Sequence, residues 1–350
     1  MRVRKPEDVL NSIGFSFPSN KLSHNVQPKI QDPLVEEIIN YEFTLAVKPE
    51  LVQRILRHLE SGKHVVLVGA PGVGKTELAK RILSIYGKQK TGNDYLPKVA
   101  TAEWTRRQVI GGINIKGDTF KPGCVTEAVE QGKWLLIDEF NRADINKAFG
   151  EMFLAIEDHK IPLYDEEKIK KYKSGSIEIP KEFRMICTMN DFDKNLLLTE
   201  LSYGLITRFA FVDVEPDVEK EQDSVKKQVL NTNISDTEYD SCQIQIEAFF
   251  DFITDVREKR MIGVRTSVDI IRYLVSASKG NNNEDIKWKY LDEALCDYLL
   301  PQFDRLDREV LAHVKQNADN HVRDTKDFVK GLEKMISQLD RATSFLDVKK

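Results

Sequence analysis

Hydrophobic positions along the chain change rhythm twice. Early on, Leu34, Ile38 and Ile39, and then Leu51, Ile55, Leu56 and Leu59, recur at three- and four-residue spacing, which predicts two amphipathic helices. Pro33 and Pro49 stand at their openings, and Ser61-Gly62 closes the second. At Val65-Val66-Leu67-Val68 the rhythm becomes an unbroken apolar run, suited to a strand buried on both faces. Comparable runs lie at 134–138, 183–189 and 209–214, with a weaker one at 98–101. Helical spacing returns between them at 76–83, 105–110, 125–130 and 145–158, the last with Phe149, Met152, Phe153 and Ile156 on one side. Alternation of this kind predicts an α/β fold with a parallel sheet.

The second change falls near Glu215-Pro216-Asp217, after which only helical patterns remain. Helices are predicted over 224–231, 242–260, from 263 onward with Thr266 or Ser267 as cap, over 290–299 up to Pro301, and in a tail at 304–313 and 324–346. The expected division is residues 1–215 as an α/β core with an N-terminal extension, and 216–350 as a helical lid with a helical tail. Within the core, the turn-rich stretch 110–123 reads as a small hairpin, and the charged stretch 159–180 as either a solvated hairpin or a loop that contacts substrate or nucleic acid. The segment 1–33 is punctuated by Pro6, Gly14, Pro18, Pro28 and Pro33, and only 6–13 looks helical.

Candidate chemistry gathers at the ends of the apolar runs. After the first comes Gly69-Ala70-Pro71-Gly72-Val73-Gly74-Lys75-Thr76, the GxxxxGK[ST] pattern, followed by Glu77 and a helix. Its glycines let successive backbone N–H groups turn toward a phosphate, Lys75 supplies a point charge, and the Thr76 hydroxyl suits Mg2+. The helix behind them aims its positive dipole end at the same anion. After the run at 134 stand Asp138 and Glu139, carboxylates fitted to a Mg2+ shell and to an attacking water. Asn190 ends the run at 183 and offers both a donor and an acceptor for that water. Arg208 precedes the last run, where a lone arginine is ordinarily a surface residue unless another subunit's nucleotide lies opposite.

Composition narrows the field. The 350 residues carry a formal net charge of -4, which disfavours a generally basic nucleic-acid surface. Cys124, Cys187, Cys242 and Cys296 lack CxxC spacing and read as thiols of a reducing compartment. The six histidines show no zinc spacing, and no apolar run approaches the roughly 20 residues of a membrane span. A cytoplasmic protein with no membrane contact is expected.

Taken together, these motifs resemble the AAA+ ATPases, and within them the clade of MoxR-like proteins, McrB-type restriction motors and dynein-related AAA domains. The resemblance covers about residues 34–300. It is carried by GAPGVGKT at 69–76, WLLIDEFNRA at 134–143 with KAFGEMFLAIED after it, ICTMN at 186–190, ITRFAFVDV at 206–214 and GVRTSVDIIRYL at 263–274. It implies a P-loop NTPase core with a five-stranded parallel sheet in the order 5-1-4-3-2, then a smaller α-helical lid. Gly69 through Glu77 would hold ATP, with Lys75 and Thr76 on phosphate and metal and Asp138 on Mg2+. Glu139 would activate water, Asn190 would serve as sensor 1, Arg208 would reach a neighbour's γ-phosphate, and Arg265 would sense nucleotide from the lid. Arg142 is a second candidate for a charge offered across the interface, because Thr207 stands where McrB-like members commonly place another arginine.

The implied assembly is a homo-oligomeric ring, a hexamer, acting on a client or effector protein. A MoxR-like chaperone that remodels a protein complex, with a von Willebrand A protein as partner, is the first expectation. The alternative is a McrB-type motor of a restriction or defence system, toward which ICTMND and the LLPQF at 299–303 lean. There a partner nuclease would act on DNA, so nucleic acid enters only indirectly. McrB-type motors prefer GTP, which leaves the purine open.

Overall fold

A computed structural model describes residues 32–113, 120–162, 176–190, 207–304 and 306–347. The expected helix at 6–13, the tips of both hairpins and the stretch 191–206 lie outside them.

Two helices, α1 (Pro33–Asn40) and α2 (Pro49–Glu60), precede the first strand, β1 (His64–Gly69). The P-loop helix is α3 (Lys75–Ile82), which runs through a π-turn at Leu83–Gly87 into α4 (Lys88–Thr91). Then come β2 (Leu96–Val99), α5 (Arg106–Val109), and the antiparallel pair β3 (Gly111–Ile113) and β4 (Phe120–Pro122). They are followed by α6 (Cys124–Glu130), β5 (Leu135–Asp138) and α7 (Ile145–Asp158). A second antiparallel pair, β6 (Lys160–Pro162) and β7 (Ser176–Glu178), precedes β8 (Met185–Asn190) and β9 (Phe209–Asp213). Both turn-rich stretches are therefore hairpins at their bases.

The main sheet has five parallel strands in the order β2-β5-β8-β1-β9, the order implied by the family resemblance. Strand β2 begins two residues earlier than its apolar pattern suggested, at Leu96. All six residues of β1 are buried, which accounts for its lack of alternation. Val66 and Val68 face one core with Leu135, Ile137, Phe149, Met152 and Phe153. Val65 and Leu67 face the other, with Val35, Ile38, Ile55, Leu59, Leu78 and Ile82 from α1, α2 and α3.

After β9 the described chain is helical: α8 (Val218–Leu230), α9 (Asp236–Asp240), α10 (Gln243–Val256), α11 (Val264–Ala277), α12 (Glu284–Ala294), α13 (Arg308–His321) and α14 (Lys326–Asp347). They enclose a third core around Phe249, Phe252, Ile270, Leu274, Leu291 and Phe328. Helix α8 starts six residues before the expected position, because the pattern from Val218 is too charged to show a clear apolar face. Thr266 and Ser267 do not cap α11. Gly263 holds that position, and Ser267 is buried one turn in, donating to Glu221 Oε1 at 3.1 Å.

Burial pushes the Cys124 thiol up to about 12 and the Cys187 thiol well above its ordinary value. No described helix is long and apolar enough to cross a membrane.

Candidate functional site

Parallel strands end on a common edge, and at this edge the register aligns the polar residues that terminate β1, β5 and β8. Gly69 pairs with Asn190, Leu67 with Thr188, and Val99 of β2 with Asp138. Beyond β1 the chain turns through the P-loop with Gly72 at φ 78° and Gly74 at φ 94°, left-handed values that a side chain would strain. Gly74 caps α3 without a side-chain hydrogen bond, so the first N–H groups of that helix face the loop rather than a capping oxygen.

Around this turn lies a cavity of about 680 Å³. Its lining includes Pro71 through Glu77, Asp138, Glu139, Thr188 and Asn190, with Arg265 and Arg272 from α11. Lys75 is buried, and its ammonium donates to Gly69 O and Ala70 O at 2.8 Å each and to Asn190 Oδ1 at 3.1 Å. The P-loop lysine and the end of β8 thus meet directly. Thr76 Oγ1 donates to Asp138 Oδ1 at 2.8 Å, coupling the helix start to the end of β5.

Thr188 is the residue that the sequence pattern did not single out. It is buried, its hydroxyl donates to Asp138 Oδ1, and it accepts the Glu139 backbone N–H at 3.1 Å. One β8 side chain therefore fixes both carboxylate residues of the neighbouring strand. In sequence it looks like an ordinary β-former, and the only available signal was its place two residues before Asn190 on the same face.

Glu139 itself stands at φ 54°, ψ 41°, an uncommon conformation for a residue with a Cβ. The chain leaves the strand sharply there and enters a short turn, Phe140–Arg142. Arg142 folds back to pair with the Glu139 carboxylate of its own chain, and its side chain is 63% exposed. That contact lies within the chain.

Arg208 is outside this cavity. It precedes β9, whose Phe209 pairs with His64 at the start of β1, so it stands at the opposite end of the sheet from the P-loop. Arg265 lies in the first turn of α11, with its backbone N–H on Gly72 O at 3.1 Å. This closeness depends on Gly263: a Cβ there would fall 2.2 Å from Pro71 O and 2.7 Å from the Gly72 carbonyl carbon.

A triphosphate fits what is present: a glycine turn with inward N–H groups, a buried ammonium and a helix N-terminus. A hard divalent cation fits Thr76 and Asp138, an alcohol and a carboxylate already within one hydrogen bond of each other. Among the described residues no cluster of three or more His, Cys, Asp or Glu could hold such an ion alone, so phosphate and water oxygens would complete its shell.

Fold and site together have the architecture of a P-loop nucleotide-binding domain. Residues 64–209 match the AAA domain of the dynein-related subfamily. Over that segment the chain is similar to McrB-like and dynein-related AAA+ proteins. The Type IV methyl-directed restriction enzyme EcoKMcrB subunit of Escherichia coli (strain K12) is 27% identical over 232 residues, 62% of this chain and 48% of that protein. Midasin of Dictyostelium discoideum is 32% identical over 89 residues, 24% of this chain and 1% of that protein. The chain thus spans about half the length of the first relative and a small fraction of the second. Among solved structures, NtrX from Brucella abortus overlays with a TM-score of 0.47 at 16% identity, covering 83% of this chain and 67% of that one.

Proposed function

We propose that the protein hydrolyses a nucleoside triphosphate with Mg2+, as ATP or GTP, and works as the motor subunit of a restriction or defence system. The observation that carries the hydrolytic reading is the convergence of Lys75, Thr76, Asp138, Glu139 and Asn190 on one cavity beside a glycine turn. Bound Mg2+ would neutralise charge on the β- and γ-phosphates. Thr76 and Asp138 would hold it. Lys75 would turn from Gly69 O and Ala70 O toward the phosphates, exchanging backbone acceptors for an anion. Glu139 would take the proton of an attacking water that Asn190 orients, and Arg265 would meet the phosphates from the lid side.

The division of labour proposed for the chain is an α/β core over 1–215 and a lid over 216–350. Arg208, at the far end of the sheet, is proposed to complete a neighbour's pocket, which makes the working unit a cytoplasmic homo-oligomeric ring, a hexamer. The McrB-type reading takes precedence over a MoxR-like chaperone because a McrB subunit aligns across 62% of the chain. On this reading the effector is a partner nuclease, and DNA is met through the complex.

The test mixes Lys75→Ala with Arg208→Ala protein. Each alone is expected to lose phosphate release from ATP and GTP, and mixtures should recover a part of it, since some interfaces then pair an intact P-loop with an intact arginine. No recovery at any ratio, in rings shown to be mixed, counts against a shared site. Turnover by Lys75→Ala at the parent rate counts against the P-loop assignment itself.

A further inference from the structure

The cavity has two walls of different origin. Its phosphate side is P-loop and strand ends. The other side is Phe43, Leu45 and Ala46 from the connection between α1 and α2, faced by Ser224, Gln228 and Val268 of the helical region. Residues 43–46 belong to no helix or strand, so no ladder of backbone hydrogen bonds fixes them.

Beside a hydrogen bond from Leu45 N–H to Ile39 O at 2.9 Å, Arg81 fastens their start. This arginine is almost completely buried, at 2% exposure, one turn beyond Glu77 on the P-loop helix. Its Nη1 donates to Ile39 O at 2.9 Å and to Phe43 O at 2.7 Å, with a longer contact to Ile38 O at 3.4 Å. Ile38 and Ile39 lie in the last turn of α1, where carbonyls lack intrahelical partners. The guanidinium carbon also sits 4.4 Å from the centroid of the Phe43 ring. Arg81 Nε binds Glu77 Oε1 at 2.8 Å, and Glu77 itself lines the cavity beside Thr76. From the other side, Asp217 N–H donates to Ala46 O at 2.8 Å and Lys227 Nζ to Thr44 Oγ1 at 2.7 Å. The wall is thus pinned between the P-loop helix and α8.

We propose that Arg81 is a positioning residue for this wall: by fastening residues 43–46 to the P-loop helix, it sets affinity for the nucleoside part of the ligand and leaves phosphate affinity alone. The inference rests on the nucleotide-binding reading above and specifies which side of that site it governs. Lysine cannot replace arginine here, because a single ammonium cannot keep Nε on Glu77, Nη1 on two carbonyls and a planar face on Phe43 at once. A buried arginine with only a structural role would weaken every ligand alike or none.

The experiment is calorimetric titration of the parent, Arg81→Lys and Phe43→Ala with Mg2+-ATP, Mg2+-GTP and base-free Mg2+-tripolyphosphate. For the nucleotide that the parent binds, Kd is expected to rise roughly tenfold in both variants, while that for tripolyphosphate stays within about twofold. KM should rise by a similar factor with kcat little changed. Equal weakening of nucleotide and tripolyphosphate, or an unchanged nucleotide Kd in folded variants, overturns the proposal. Should Arg81→Lys fail to fold, Phe43→Ala decides, since it removes the wall and the ring contact while keeping the buried guanidinium. A parent that binds none of the three ligands overturns the site reading and this inference with it. A parent that binds, with variants showing no split, overturns this inference alone.

Discussion

In the helical region Glu221 and Arg257 are buried to 1% and 7% exposure, and their hydrogen bonds close on the protein itself. Arg257 engages both Glu221 oxygens and the Ile262 carbonyl, and Ser267 adds a further bond to Glu221. At the sheet edge Asp138 and Glu139 are arranged otherwise. Among the described residues, both hydroxyls that reach Asp138 fall on the same oxygen, Oδ1, and the Glu139 carboxylate meets a mostly exposed Arg142. The first pair joins α8 to the loop before α11. The second is held in place from behind and still faces a cavity. Charged groups with every bond satisfied internally hold a fold together, and groups fixed on one side alone are ready to meet something from solvent.

The sharpest way to break this contrast is Glu139→Gln. Phosphate release should fall roughly 10²–10⁴-fold, with nucleotide still bound. Unfolding free energy should stay within about 0.5 kcal/mol, because the Arg142 contact is too exposed to stabilise much. Turnover at the parent rate would remove Glu139 from the chemistry.

Arg257→Met is the opposite case. It leaves Glu221 charged and buried without its partner, and urea denaturation should show a loss of about 3–5 kcal/mol. A loss near zero would mean that the pair is not the lock its burial implies.

His64 carries the comparison into the core. It is fully buried between Phe183 and Phe209, and its Nδ1 accepts the Met185 N–H at 3.0 Å. Burial first, then the charges of Arg184 and Lys63, lowers its pKa from 6.5 to about 3. The unfolded chain therefore binds the proton more readily than the native one. Stability from this group is full above pH 6.5 and is lost as pH falls from 6.5 toward 3. Between pH 6.5 and 5 the parent should lose roughly 2 kcal/mol more than His64→Asn, which keeps an acceptor but does not titrate. Parallel pH profiles for the two proteins would contradict the buried neutral ring.

Thr188→Val gives the smallest expected effect and refines the boundary between the two kinds of group. It keeps the shape of the strand and removes the hydroxyl that orients Asp138 and the Glu139 backbone, so turnover should fall roughly tenfold. Stability should change by less than about 1 kcal/mol. A collapse in stability would move Thr188 into the structural class.

Much of the frame was legible because it rests on local physics. The unbroken run at 65–68 could only be a strand covered on both sides, and the glycine-lysine-threonine turn after it carries its own chemistry. Strand order was legible only through the family resemblance, since no periodicity tells which strands are neighbours. What the pattern missed depends on those neighbours. Thr188 matters because β8 lies beside β5, and Arg81 matters because the chain between α1 and α2 crosses its helix. Ser267 looked like a cap and is a buried partner of Glu221, a residue 46 positions away.

Gly263 has a mechanical meaning of its own. With no side chain between them, the two lobes touch main chain to main chain at Pro71 and Gly72, like a journal running in its bearing without play. A rotation of α11 could not be absorbed by bending side chains at that point and would be passed to the P-loop. On the proposed reading, α11 would register the arrival and departure of phosphate as a stroke rather than a drift.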